Sequence, residues 1–202
     1  MADNVVRFPE RSKALYGEAV RHFKLGEDRK AVELLQHLVS TGFDNAHPLL
    51  SLIYQTGGKD VAQDFHKSLF HAERAVEDAD HPEGYVMAAW HYVHGRGTAA
   101  NLQRALHYYE IAYRRYGHPV AALCIGRFHE FAWMGPMDLD KALEHYRYAE
   151  SRKLAYASRR VAAVLVKQRH WIAGMYHHVL ATFRGPLLFN RYGDRIEVFR
   201  SW

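Results

Sequence analysis

Residues 101–112 read NLQRALHYYEIA, and residues 138–149 read DLDKALEHYRYA. Residues 64–75, DFHKSLFHAERA, stand 37 positions before the first of these, and the second stands 37 positions after it. Each stretch opens on Asp or Asn: Asp64, Asn101, Asp138. Four residues later comes a small residue, Ser68, Ala105 or Ala142, and seven beyond that an alanine, Ala75, Ala112 or Ala149. Leu69, Leu106 and Leu143 keep the same step, as do Tyr109 and Tyr146. Two successive offsets without drift mark an internal repeat, and a period of this length belongs to stacked helical units.

The linkers agree. His-Pro occurs at His47-Pro48, His81-Pro82 and His118-Pro119, each time just before an apolar helical pattern. Proline fits a helix's first turn, where its missing N–H has no partner to lose. Between 82 and 94, Gly84, Ala88, Ala89 and Tyr92 form a stripe at helical spacing. Gly95-Arg-Gly97 then ends that helix. Asn101 can cap the next one, whose buried stripe is Leu102, Ala105, Leu106, Tyr109 and Ala112. Alanines at the contact let two helix axes approach, and a tyrosine fills the remaining gap. Each unit leaves an apolar face that the next must cover.

These residues resemble the Sel-one-like repeat (SLR), a relative of the tetratricopeptide repeat. Gly84, Ala88, Ala89, Tyr92, Gly95, Gly97, Asn101, Ala105, Tyr108, Tyr109 and Ala112 match its pattern closely. The preceding unit gives Ala46, Leu50, Ser51, Tyr54, Gly57, Asp64, Ser68, Ala72 and Ala75, with one inserted residue. The following unit gives Ala121, Ile125, Gly126, Asp138, Ala142, His145, Tyr146 and Ala149. There His129 replaces the tyrosine, and Ala132 and Met134 replace the turn glycines. The resemblance implies an all-α, right-handed α-α superhelix of about five helix-turn-helix repeats. It also implies a concave surface lined by the first helix of each pair, and work as an adaptor or scaffold. The expected organisation is an N-terminal extension over 1–12, a tetratricopeptide-like repeat over 13–45, and Sel-one-like repeats over 46–81, 82–118 and 119–154. A degenerate capping repeat over 155–185 and a tail or small hairpin over 186–202 complete it.

Composition narrows the rest. The chain has 202 residues, 49 % of them apolar and 13 % aromatic, too rich in both for an intrinsically disordered chain. One cysteine, Cys124, excludes an intrachain disulfide and cysteine-built zinc or iron–sulfur sites. It also separates this chain from the disulfide-bridged secreted branch of the family it resembles. The first residues hold no apolar stretch of signal-peptide length. The longest apolar candidate, 161–183, is broken by Lys167, Gln168, Arg169 and His170, so no membrane span is expected. A soluble, cytoplasmic protein is the expectation.

Catalytic signatures are missing. G-x-S-x-G, P-loop and Rossmann patterns do not occur, and His129-Glu130 fails as a zinc-protease motif because position 133 is Trp. His91 and His94 share a helix face, but no third ligand stands near them in sequence. No metal, no cofactor and no enzymatic activity are expected; a protein or peptide partner is. Aromatics and arginine anchor interfaces, and the groove is assigned to Tyr85, His91, Arg127, His129 and Glu130.

Charge is uneven. The formal net charge is +5. Residues 1–150 carry 17 Lys+Arg and 20 Asp+Glu, while residues 151–202 carry ten Lys+Arg and only Asp194 and Glu197. The body is mildly acidic and the C-terminal region strongly basic. A basic cap of Arg152, Arg159, Arg160, Lys167 and Arg169 is interleaved with aromatics. This gives the alternative function, binding of nucleic acid or an anionic surface through the C-terminal region. The apolar tail would dock on its own repeats, on a partner, or on a second copy to make a homo-oligomer.

Overall fold

Asp64, Asn101 and Asp138, which open the three matched stretches, each cap a helix. Their side-chain oxygens accept from the backbone N–H groups of Lys67, Arg104 and Lys141 at 3.0, 2.9 and 2.9 Å. The computed structural model describes residues 10–188, without the side chains of residues 180, 181 and 183–188. Ten α-helices and no strand occur among them. They are α1 (Glu10–Leu25), α2 (Asp28–Ser40), α3 (His47–Thr56), α4 (Phe65–Glu77), α5 (Pro82–His94), α6 (Leu102–Tyr116), α7 (Pro119–Glu130), α8 (Leu139–Ser151), α9 (Ala155–Lys167) and α10 (Trp171–Leu188). A 3₁₀ turn, Asp44–Ala46, leads into α3. The all-α repeat architecture read from the sequence is the one observed.

Two compact units divide the chain, Met1–Ala100 and Asn101–Trp202. The division falls at the turn within the 82–118 stretch. In the first unit α1 packs on α2, α3 on α4, and α4 on α5. In the second, α6 packs on α7, α7 on α8, α8 on α9, and α9 on α10. Proline stands in the first turn of α3, α5 and α7. Gly95 ends α5 in the left-handed region at φ 62°. In the next repeat Ala132 holds the same conformation at φ 56°, a strain of about 1 kcal/mol that a glycine would lack.

Alanine and aliphatic residues fill each core. Ala19, Ala31, Leu35, Ala46, Leu50 and Ile53 are fully buried in the first unit, and Ala122, Ala142, Tyr146, Ala149, Ala157 and Val161 in the second. Gly126 packs tightly against Tyr146, where an added methyl would lie 2.6 Å from Cε1 of the ring. α10 runs to Leu188, so residues 186–188 of the expected tail are helical. The rest of that tail, with the docking and homo-oligomer expectations tied to it, lies outside the described residues, as do residues 1–9 of the N-terminal extension. No helix among the described residues is long and apolar enough to cross a membrane.

Candidate interaction surfaces

Glu130, the last residue of α7, ends inside the second unit with its side chain fully buried. It is not orphaned there. Tyr146 Oη donates to its carboxylate at 2.7 Å, Lys167 Nζ at 2.6 Å, and the Arg160 guanidinium completes the set. Burial pushes the Glu130 carboxyl up, but the bonds from Arg160, Lys167 and Tyr146 outweigh it and hold it below the usual carboxylate range. Thus α9 brings two residues expected in a basic cap onto one expected in the groove.

The same two cations reach the neighbouring ring. Phe131 is 43 % exposed, and Arg127, Arg160 and Lys167 stand 5.9, 5.2 and 5.3 Å from its centroid. Trp133 stacks against Phe131 at 6.0 Å and also receives Arg127 at 5.3 Å. Met134 and Met137, which follow in the chain, are exposed as well. Arg127, Arg160 and Lys167 thus border an exposed aromatic ring, and Arg160 and Lys167 are also paired with Glu130. His129 lies partly exposed beside it, its ring stacked on His145 at 5.8 Å.

The remaining expected groove residues are interior. Tyr85 is buried, and its hydroxyl donates to Asp80 at 2.7 Å. His91 is fully buried between α4 and the turn after α5. Its Nδ1–H donates to the Arg96 carbonyl at 2.7 Å, and the Ser68 hydroxyl donates to Nε2 at 2.8 Å. Both ring nitrogens are engaged, so His91 offers no metal edge with His94. Desolvation lowers its pKa to about 4, which keeps it neutral at pH 7. Tyr85, His91 and Glu130 are thus buried and each is hydrogen-bonded, although the partner of Tyr85, Asp80, is itself exposed. Arg127 and His129 keep solvent contact. Of the basic cap, Arg152, Arg159 and Arg169 are exposed, whereas Arg160 and Lys167 are committed to Glu130.

The first unit has its own open cleft, of about 380 Å³, lined by Arg29, Gln36, Tyr54, Gln63 and Lys67 among others. Lys67 sits 5.3 Å over the Tyr54 ring, and Arg29 bonds the Asp60 carbonyl at 3.3 Å. Cys124 is buried, and desolvation lifts its thiol pKa to about 11, which leaves it inert at neutral pH.

No family model and no curated protein matches the sequence. Solved structures do match the fold. A Sel1 repeat protein from Oxalobacter formigenes superposes with a TM-score of 0.73 at 18 % identity, over 89 % of this chain and 75 % of that one. A protective antigen of uropathogenic Escherichia coli displaying an SLR fold gives 0.69 at 16 %, over 91 % and 42 %. The chain has the SLR fold. An immunity protein from Pseudomonas aeruginosa is similar too, with a TM-score of 0.59 at 19 % identity over 91 % of this chain and 69 % of that one.

Within this SLR fold, the Glu130 cluster escaped sequence reading because its members are scattered over α7, α8 and α9. A signal did exist. Glu130 and Lys167 are 37 residues apart, the repeat length itself, and carry opposite charge at the same repeat position. The exposed patch also had one: apolar Phe131, Met134 and Met137 occupy a turn where other repeats carry glycine.

Proposed function

We propose that this protein is a non-catalytic SLR scaffold that binds a protein partner through the Phe131 patch of its second unit. The observation that carries the reading is an exposed aromatic ring within about 6 Å of Arg127, Arg160 and Lys167. Aromatic anchors ringed by arginine are what interfaces use for most of their binding energy. The partner's matching surface is an acidic segment carrying one apolar side chain, which would contact Phe131 and Met134 while its carboxylates meet the cations. The buried Glu130 holds Arg160 and Lys167 in place, so little side-chain freedom is lost on binding. Arg127 and His129 remain as groove residues in this proposal.

A photo-crosslinking residue at position 134 tests it in the native cell. A discrete adduct that disappears in the Phe131→Ala and Arg127→Ala backgrounds is expected. An adduct indifferent to both substitutions defeats the reading.

One observation favours a second reading, anionic-surface binding through the C-terminal region. α10 exposes Trp171, Ile172, Met175, Tyr176 and Val179 along one face, and residues 171–188 contain no carboxylate. Arg152, Arg159 and Arg169 supply the positive charge. Binding of this kind would weaken steeply with salt and with Arg159→Ala, whereas binding at the Phe131 patch would follow Phe131→Ala.

A further inference from the structure

Asp44 in the 3₁₀ turn, His47 at the start of α3 and Asp78 at the end of α4 meet at one corner of the first unit. One ligand atom from each, a ring nitrogen and two carboxylate oxygens, all lie within 4.8 Å of one another. The histidine is 2 % exposed. Its Nδ1 stands 2.9 Å from Nδ1 of His71, and this is the single hydrogen bond on its ring among the described residues. The other ring nitrogen, Nε2, takes no hydrogen bond among the described residues, which leaves its lone pair open to a ligand.

We propose that Asp44, His47 and Asp78 bind a divalent transition-metal ion of the Zn2+ type, with His71 as the residue that positions His47. The two facing Nδ1 atoms share one proton. When His47 carries it, Nε2 is left as a bare lone pair and becomes the metal ligand. His71 is itself held, stacked on Tyr54 at 5.7 Å with planes 5° apart and met edge-on by Phe70 at 5.1 Å. A metal-ligating imidazole normally donates its other N–H to a fixed neighbour that sets its tautomer and orientation, and His71 is placed for that role. Arg74 Nε donates to Asp78 Oδ2 at 2.7 Å. A carboxylate has two oxygens, so Asp78 can hold the guanidinium and a metal together.

The donor set selects the ion. One imidazole and two carboxylates suit Zn2+, whereas Ca2+ and Mg2+ prefer oxygen alone. Asp44 is half-buried and Asp78 exposed, which gives an entry path and leaves room for water in the remaining coordination positions. The site lies in the first unit and is independent of the Phe131 patch.

Isothermal titration of the untagged full chain with Zn2+ tests the proposal. One equivalent should bind saturably. Asp78→Asn, at the surface, should weaken binding by about tenfold or more, and His71→Phe by about 10- to 100-fold while all three ligands remain. Titration with Co2+ should give a visible absorption band that is lost in Asp44→Asn. The proposal is overturned if no one-to-one binding is seen up to about millimolar Zn2+. It is equally overturned if folded Asp78→Asn and Asp44→Asn bind as the parent does, since the ion would then sit on other histidines.

Discussion

The α3–α4 and α7–α8 contacts use equivalent repeat positions in different ways. In α3–α4 the two small positions are Ser51 and Ser68: Ser51 Oγ donates to the Ser68 carbonyl at 2.8 Å, and Ser68 Oγ, whose proton goes to His91 Nε2 at 2.8 Å, also lies 2.8 Å from the Ser51 carbonyl. In α7–α8 the same positions are Gly126 and Ala142, and Tyr146 lies against the glycine with its hydroxyl on buried Glu130. One contact is organised by a chain of neutral hydrogen bonds, the other by an ion cluster with an aromatic ring as spacer. The fold demands close approach of two helices, and it does not dictate the polar chemistry that fills the space beside them.

The largest expected effect separates the two at once. Arg160→Ala combined with Lys167→Ala leaves the Glu130 carboxylate buried with Tyr146 alone, and should destabilise the second unit by about 3–5 kcal/mol. Native-state hydrogen exchange should show faster exchange in α7 and α8 and no change in α3 and α4. Glu130→Gln should be milder, because Lys167 is already 44 % exposed and can turn to solvent. Equal loss in both units would mean that their stabilities are not separable, and the comparison would fail.

Acid should act in the opposite order along the chain. His91 titrates near 6.5 when unfolded and near 4 when folded, so the unfolded chain binds the extra proton between those values. Its contribution is therefore complete above about pH 6.5 and is lost as pH falls toward 4, at up to about 1.4 kcal/mol per pH unit. Glu130 has a lowered pKa as well, so its contribution is retained until pH falls below the normal carboxylate range. Hydrogen exchange between pH 6.5 and 5 should show α3–α5, where burial lowers the pKa of His47, His71 and His91, loosening more than α7–α8, where it lowers that of His145 alone among the described histidines. His91→Gln, which cannot titrate, should reduce that dependence and leave the share that comes from His71, whose pKa burial also lowers to about 4, and from His47. A first unit with pH-independent stability would show that His91 is not the group in control.

The same contrast explains what could be read from sequence. Helix starts and ends were legible because they depend on single residues: Pro48, Pro82 and Pro119 in first turns, Asp64, Asn101 and Asp138 as caps, and Gly95 as a left-handed terminator. The packing positions were legible because they recur every 37 residues. The site was much less so. His91, Tyr85 and Glu130 look like polar groove residues in sequence, since a polar side chain on an amphipathic helix normally faces water. Whether it is instead buried depends on a partner from another helix, such as Ser68 for His91 or Arg160 for Glu130, and those partners lie 23 and 30 residues away. Arg127 was legible as a candidate, but its juxtaposition with Phe131 and α9 was not.

Gly126→Ala probes the aromatic spacer. The added methyl would meet Tyr146, and the ring cannot easily give way because its hydroxyl is fixed on Glu130. Overpacking of about 1–3 kcal/mol, less about 1 kcal/mol gained in helix propensity, should leave a net loss of about 1 kcal/mol in thermal or denaturant unfolding. Gly17→Ala in α1 is the control. Its added methyl meets nothing within 4 Å, so it should stabilise by about 0.5–1 kcal/mol. If Gly126→Ala also stabilised, close packing by Tyr146 would not be what demands glycine there.

A finer contrast resolves the serine pair. Ser68→Ala removes the donor to His91 Nε2 and leaves a buried acceptor unpaired, a loss of about 1–3 kcal/mol. Ser51→Ala leaves no such orphan, because the Ser68 carbonyl lies within α4 and keeps its helical hydrogen bond. Its expected cost is below about 1 kcal/mol. The two serines look interchangeable, each 2.8 Å from the other's carbonyl, so an asymmetry in denaturant midpoint assigns the work to the His91 link and not to the serine–carbonyl contacts. Equal losses would reverse that assignment and make the serine–serine bridge itself the organising feature of α3–α4. A double-mutant cycle between Ser68 and His91 distinguishes the cases, with a coupling of about 1 kcal/mol expected if the link carries the contact.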